Sequence, residues 1–203
     1  MNIVGIDFSI NSTAMCTEID NNEKFYLFTR NISKNRANCL ESTDIELVYL
    51  DKFKESNDLN EVESDKVYNA IELSNSILKI LESYDSYIDI LTIEGFSYGG
   101  TGLRALDLAG FQYILRSMVA MSNNINLLKF VPPSTLKKFA IKGNASKLEM
   151  IESFMQLAPD NILYKILKNE ECDCISKSGN YQKPFDDLVD SWYIKEFYKN
   201  TEL

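Results

Sequence analysis

Residues 2–7 read NIVGID, a short apolar run that ends on the carboxylate of Asp7. Residues 88–94 read IDILTIE and end in the same way on Glu94. Short apolar runs rich in β-branched residues predict buried strands. Two such strands, each ending on an acid, predict an α/β fold in which strand ends deliver carboxylates to one site.

Periodicity and turn residues divide the rest of the chain. Turn-forming residues separate three consecutive strands at its start, which predicts an antiparallel meander. Apolar residues at helical spacing predict long helices before and after the strand that ends on Glu94. The predicted order is βββ-α-β-α-β-α-α, a mixed five-stranded sheet with its first three strands antiparallel and with flanking helices. The expected strands are residues 2–8, 12–19, 24–30, 88–94 and 126–131, and the expected helices are residues 62–84, 103–121, 134–140 and 145–157, with a last helix from about 184.

Residues 31–60 do not fit this alternation. They are polar, acidic and weakly periodic, with one short apolar patch at residues 47–50. We interpret them as a long insertion in a single domain that spans residues 1–203. A hypothesis for the insertion is a partner surface or a screen against nonspecific DNA. Residues 160–182 stay without an assignment.

Composition excludes several kinds of chemistry. The chain has no histidine, which excludes Ser-His-Asp and Cys-His catalysis and metal centres built on imidazole. Its four cysteines are too few and too irregular for a disulfide scaffold, so reduced thiols are expected. No apolar run approaches the roughly 20 residues that span a bilayer, and no secretory leader is recognised. We therefore expect no membrane association and a cytoplasmic location.

Charge is unevenly distributed along the chain. A net charge of −9 argues against a nucleic-acid partner, because phosphate binding depends on Lys and Arg. Residues 41–65, however, hold nine acidic and two basic side chains, which leaves −2 for everything else. Residues 129–147 carry five lysines and no acid. Such a local basic surface can bind nucleic acid despite the global sign.

Two further acids lie three residues apart in the last predicted helix, Asp187 and Asp190, and so project from one helix face. With Asp7 and Glu94 they form a set of carboxylates, the oxygen ligands that Mg²⁺ and Mn²⁺ prefer. Each acid alone is as readily a turn or helix-cap residue. Together and in this order they predict a site for two ions that assists phosphodiester hydrolysis. Asp186 stays an alternative to Asp187, because the helix phase decides which of the two faces the metal.

Four segments resemble the RuvC family of Holliday junction resolvases, particularly the divergent RuvC-like nucleases of phages. Residues 3–7 are similar to the family's first strand, and residues 93–100 to its second acidic strand and the following loop. Residues 133–138 and then 143–147 are similar to its lysine-bearing segment, and residues 187–191 to its final acidic helix. The resemblance implies an RNase H-like core, a homodimer, and paired metal-dependent nicks in a four-way DNA junction during recombination and repair. A phage-encoded member would act in the host cytoplasm.

The resemblance also implies roles for side chains outside the acidic set. Lys137 and Lys147 would lie beside the scissile phosphate, where positive charge stabilises the transition state, and Lys138 is an equally placed substitute for Lys137. Solvated surface lysines are the alternative. Phe96 and Tyr98 would stack on unpaired bases, and core packing is the alternative for Phe96. The side chains predicted to contact DNA are Lys137, Lys138, Lys142, Lys147, Phe96 and Tyr98.

The helix after the Glu94 strand is the implied dimer contact, through residues 103–122. Its apolar stripe fits that role, and Gly110 within it predicts close helix packing. An ordinary helix that faces the core is the alternative.

The chain departs from the family at two places. Phe8 and Ser9 stand where the family usually has Pro-Gly, and the acidic insertion is unlike the compact bacterial enzymes. Substrate preference therefore stays open, since a broader flap or branched-DNA nuclease, or an RNase H, would use the same four acids. An actin-like or sugar-kinase ATPase also has an Asp after its first strand, but it needs a second phosphate loop and usually a longer chain. A domain that binds DNA or protein without cutting is a third class.

Overall fold

The computed structural model of the chain describes residues 1–96, 102–176 and 179–201. Those residues form six strands, seven α-helices and one short 3₁₀ helix. The strands are β1 (Ile3–Asp7), β2 (Ser12–Ile19), β3 (Asn22–Thr29), β4 (Ile45–Tyr49), β5 (Ile88–Glu94) and β6 (Ile125–Val131). The helices are α1 (Lys34–Glu41), α2 (Leu59–Glu82), α3 (Leu103–Met121), α4 (Pro133–Ala140), α5 (Lys147–Leu157), α6 (Ile162–Lys168), the 3₁₀ helix Glu170–Cys172, and α7 (Phe185–Thr201).

One sheet organises the fold, with strand order β4-β3-β2-β1-β5-β6. The first three strands are antiparallel, as predicted, with Asp7 opposite Ala14. β5 pairs parallel with β1, Ile6 lying opposite Ile93, and β6 pairs parallel with β5. Because parallel strands end at the same edge of a sheet, the ends of β1 and β5 and the beginning of β2 lie together. The predicted mixed α/β class is confirmed.

The sheet has six strands rather than the five predicted, because residues 31–60 contribute one. After α1 the chain forms β4, which pairs parallel with β3 and places Ile45 opposite Phe25. β4 lies at the edge of the sheet, and Tyr49 is 60% exposed. Edge strands carry polar and charged residues on their open side, so the acidic composition concealed this strand. Part of the predicted insertion is therefore built into the sheet.

Helices cover both faces of the sheet. The strand period of two sends neighbouring residues of β2 to opposite faces. Met15 packs in the core under α2 and α3, where Leu73 and Phe111 are also buried. Cys16 packs in the other core, which contains the apolar side chains of α7, among them Leu188. The sheet thus lies between two helical layers.

β1 and α7 approach each other closely at Gly5. A Cβ at this position would lie 2.4 Å from the backbone nitrogen of Lys195 and 2.4 Å from the carbonyl oxygen of Ser191. Only glycine allows this approach, which seats α7 directly on β1. At Gly110, by contrast, no described neighbour lies within 4 Å of the Cβ position. Within one chain, therefore, Gly110 does not make the close helix packing predicted for it.

A disulfide joins Cys39 of α1 to Cys172 of the 3₁₀ helix, and Cys16 and Cys174 are free and buried. The expectation of reduced thiols is wrong for the joined pair. The two cysteines are 133 residues apart, and sequence spacing carries no signal for a pairing at this range. Closing a loop of this length lowers the entropy of the unfolded chain and stabilises the fold by roughly 5 kcal/mol on the chain-entropy account. Among the described helices, none has the length and apolar character to cross a lipid bilayer.

Candidate active site

The four predicted acids lie at one edge of the sheet. Asp7 ends β1, Glu94 ends β5, and Asp187 and Asp190 lie in the first turns of α7, which packs on β1. Burial raises the pKa of Asp7 well above its usual range, and the charges of Asp187, Asp190 and Glu94 raise it further. Three separate segments therefore bring together carboxylates that lie close enough to repel one another.

The pKa of Asp190 is raised to about 7, first by burial and then by the charges of Glu94, Asp186 and Asp187, against the opposing charge of Lys147. A carboxylate in this state gains from any cation that enters the site. The site is thus short of positive charge when it contains protein groups alone.

Glu94 is influenced by two of the predicted lysines. Burial raises its pKa, and the charges of Lys147 and then Lys137 act in the opposite direction. Lys137 belongs to α4, which begins two residues after β6, and Lys147 is the first residue of α5. Lys137 therefore lies on the helix that follows β6, and Lys147 lies beside α7, where it pairs with Asp186.

Asp186 and Asp187, which the sequence left as alternatives, have different surroundings. Asp187 accepts hydrogen bonds from Ser12 Oγ, at 2.9 Å, and forms an ion pair with Lys183 at 3.0 Å. It is also the acid whose charge raises the pKa of Asp7 most. Asp186 forms an ion pair with Lys147, and its Oδ1 is buried without a hydrogen-bond partner among the described residues. The helix phase turns Asp187 toward Asp7 and Asp186 toward Lys147.

The donor set suits a hard divalent cation, since it offers carboxylate oxygens and neither histidine nor cysteine. The four carboxylates, however, are not tightly clustered. Within the described part of the chain, the three acids whose oxygens all lie within 4.8 Å of one another are Glu18, Glu23 and Glu196. Those acids lie at the other end of β1 and β2, where the buried ammonium of Lys195 pairs with all three. The four predicted acids are therefore farther apart than that group. Their charges nevertheless raise one another's pKa values.

The remaining predicted DNA contacts differ from one another. Lys138 is exposed, and Lys142 forms an ion pair with Glu149. Phe96 is partly buried, with its ring 5.7 Å from the ring of Tyr113. Tyr98 lies outside the described residues. Phe96 thus packs on a neighbouring ring at a partly exposed position, and its stacking on unpaired bases stays a prediction.

Three residues at the site were missed from the sequence. Ser12 and Lys183 both bind Asp187, and Gln112 of α3 donates a hydrogen bond from Nε2 to the backbone carbonyl of Glu94 at 3.0 Å. Lys183 carried a weak signal, because it precedes Asp187 by four residues. Ser12 and Gln112 reach the site through tertiary packing alone, which no local pattern indicates.

Neither a protein-family model nor a curated protein sequence matches the chain. Solved structures do. RuvC of Thermus thermophilus, in complex with a Holliday junction substrate, matches with a TM-score of 0.54 and 10% identity over 98% of this chain and 94% of that one. A second Thermus thermophilus RuvC structure (TM-score 0.49, 15% identity, 100% and 97% of the two chains) and the Fowlpox virus resolvase with Holliday junction DNA (0.44, 14%, 100% and 99%) are also similar. The arrangement of strands and helices that carries the four acids is therefore the RuvC-like fold.

Proposed function

We propose that this protein is a metal-dependent endonuclease that nicks branched DNA and resolves four-way junctions. The observation that carries the proposal is the convergence of Asp7, Asp187, Asp190 and Glu94 on one edge of the sheet, where burial and mutual repulsion raise their pKa values. The fold supports it, because the similar structure of Thermus thermophilus RuvC is a complex with a Holliday junction substrate. Nucleases that hydrolyse phosphodiesters through two cations need such a set of oxygen ligands.

The four acids would hold Mg²⁺ or Mn²⁺, with two ions per site. When bound, these ions supply a water of lowered pKa and stabilise the leaving oxygen. Asp7 serves as a fixed ligand because β1 is a central strand packed under α7. Ser12 and Lys183 orient the Asp187 carboxylate through their hydrogen bonds.

Lys147 provides positive charge on one side of the acids. Burial alone would lower its pKa, but the hydrogen bond and charge of Asp186, with the charges of Asp190 and Asp187, raise it above its usual range. The ammonium therefore stays charged at any working pH. We propose that it neutralises the negative charge that develops on the phosphate in the transition state, with Lys137 assisting from α4.

We further propose that two copies assemble through residues 103–122, as paired nicks require two sites. The buried face of α3 consists of Phe111, Gln112, Leu115 and Val119. The apolar stripe noted in the sequence lies on the other side, since Leu106 is 69% and Met121 73% exposed. Large apolar side chains exposed together are typical of a protein interface.

Cleavage of labelled substrates tests the proposal directly. The substrates are an immobile four-way junction, a flap, an RNA–DNA hybrid and plain duplex, each in Mg²⁺ and in Mn²⁺, with Asp7→Asn as the control. Symmetric nicks in the junction that the variant does not make would support a resolvase. Preference for flaps or hybrids would keep the acidic site and change the substrate. Well-folded protein that cuts none of them would overturn the nuclease proposal in favour of a binding role.

A further inference from the structure

A cavity of about 610 Å³ opens beside the acids. Its walls come from the beginning of β2, the end of β3, the residues that lead into α1, and the Lys183–Pro184 segment before α7. Ser12 and Lys183 line it, and both bind the Asp187 carboxylate, at 2.9 Å and 3.0 Å. The cavity therefore opens next to the candidate active site, and its volume is in the range of sites that enclose small groups.

The lining of this cavity is polar and includes the basic residues Arg36 and Lys183, with no acidic residue among its lining residues. Arg30 also lines it, but its guanidinium pairs with Glu72 and bonds the backbone of Asn69 in α2. Arg36 pairs with Asp173 at 3.5 Å, and Lys183 pairs with Asp187 at 3.0 Å. Arg36 donates to the backbone carbonyl of Lys183 at 2.8 Å, and its Nε is buried without a hydrogen-bond partner among the described residues. Ser33 is exposed at the start of α1, and its side chain makes no capping hydrogen bond. Their carboxylate partners use only part of the hydrogen-bonding capacity of Arg36 and Lys183, so these two side chains and the start of α1 can still donate to an anion.

The position of the cavity relative to the lysines indicates which anion it would bind. Along the edge of the sheet the order is β3, β2, β1, β5, β6. Lys137 and Lys138 belong to α4, which follows β6, and the charge of Lys137 acts on Glu94 at the end of β5, whereas the cavity lies at the β2–β3 side. The four acids lie between two basic regions. A polyanionic strand that crosses the acids would be repelled there and held on both sides.

We propose that the cavity binds a backbone phosphate of the cleaved DNA strand, next to the phosphate that lies at the acids. The proposal rests on the proposed nuclease function and adds a second contact to it. The phosphate accepts hydrogen bonds from Arg36 and from the polar groups at the start of α1, so that the strand is fixed in register across Asp7 and Asp187. Part of this site is formed by residues 31–36, in the segment that was interpreted from the sequence as an acidic insertion.

Introducing a negative charge at the cavity tests this assignment. Ser33→Asp adds a charge at the N-cap of α1, where aspartate is as good a capping residue as serine, so the helix is retained. Asn35→Asp is the matched control, because it adds the same charge to the same helix but lies at a different depression, together with Cys39 and Cys172. Both variants are made in the Asp7→Asn background, and affinity for the four-way junction is measured by titration between 50 and 200 mM salt. The melting temperatures of both should equal or exceed that of the parent.

The expected result is a loss of affinity of roughly 3- to 10-fold for Ser33→Asp, with a salt dependence weakened by about one phosphate contact. Asn35→Asp should change affinity by less than about twofold. Replacing single phosphates of the cleaved strand with neutral methylphosphonates should then identify one position beside the cut whose neutralisation weakens the parent and has no further effect on Ser33→Asp.

Other outcomes would overturn the cavity assignment alone or together with the function. If Ser33→Asp and Asn35→Asp bind the junction equally well, and the protein that retains Asp7 cleaves the junction, only the cavity assignment is overturned. Inorganic phosphate could raise the melting temperature of the parent but not that of Ser33→Asp, while the two proteins bind DNA equally well. The cavity would then be a site for small anions, and its proposed contact with the DNA strand would be overturned. A parent protein that binds neither junction nor duplex would overturn both proposals.

Discussion

At the scale of single residues, repulsion among the carboxylates of the candidate site destabilises the folded protein, and the rest of the fold must offset it. Burial and neighbouring charge raise the pKa of Asp7, Asp187 and Asp190. A carboxyl group with a raised pKa binds a proton more tightly in the folded protein than in the unfolded chain. Folding stability and protonation of the site are therefore linked, and a cation in the site would relieve the same repulsion.

Asp190→Asn should remove part of that link. Because the pKa of Asp190 is about 7 in the folded protein and its ordinary value is 3.8, its contribution to stability is intact below about pH 4 and is lost as pH rises through 7. In EDTA, the free energy of unfolding of the variant, relative to that of the parent, should rise by on the order of 2–4 kcal/mol from pH 4 to pH 8. Urea denaturation measures it. Asp44→Asn, at an exposed position, is the control. A stability difference that does not change with pH would contradict the expected linkage.

Lys147→Met should slow the cleavage step by roughly 100-fold at saturating enzyme, because it removes a charge that the transition state needs. The substitution also leaves Asp186 without its partner, so Lys147→Met/Asp186→Asn is the informative control. If the double variant is as slow as the single one, the lysine acts on the phosphate. Recovery of the rate in the double variant would mean that the unpaired Asp186 was the cause. Lys138→Met, at an exposed neighbouring lysine, should stay within about threefold of the parent rate.

At the scale of the elements, the contact between β1 and α7 holds the acids in register. Gly5→Ala would force a Cβ against the backbone of Lys195 and Ser191, and overpacking of this kind costs roughly 1–3 kcal/mol or more. The expected result is a lower melting temperature and weaker stabilisation by Mg²⁺, since α7 carries Asp187 and Asp190. Gly110→Ala is the matched control, and it should stabilise the protein by about 0.5–1 kcal/mol as alanine replaces glycine within a helix. Equal melting temperatures for the two variants would show that α7 does not depend on this contact.

Elements with strong local signals could be predicted from the sequence. β1 and β5 are continuous apolar runs that end on acids, and α7 shows its paired acids, so the parts of the candidate site on these elements followed from local pattern. β4 escaped, because a five-residue edge strand with exposed acidic neighbours has no distinctive periodicity. The Cys39–Cys172 disulfide and the contacts of Ser12 and Gln112 depend on which elements the fold brings together. Such pairings are properties of the tertiary structure, and one sequence does not encode them locally.

At the scale of the whole molecule, the proposed dimer depends on the exposed apolar side of α3. Leu106→Glu should yield a monomer by sedimentation, because a charge buried in an apolar interface lacks a partner. The melting temperature of the monomer should not fall, as Leu106 is exposed in the single chain. Leu59→Glu, at an exposed leucine of α2, should leave the oligomeric state unchanged. A protein that is a monomer before any substitution would refute the proposed dimer.

The contact between β1 and α7 also determines when the candidate site can form during translation. Asp7 and Asp190 are 183 residues apart, a length that a ribosome translates in about 10–40 s at roughly 5–20 residues per second. The β1–β3 meander needs only local pairings and is available early, whereas α7 must emerge before it can cover β1. For that interval a nascent chain has Asp7 without the acids of α7. If these carboxylates form the nuclease site, a nascent chain has no cutting activity until α7 has emerged and covered β1.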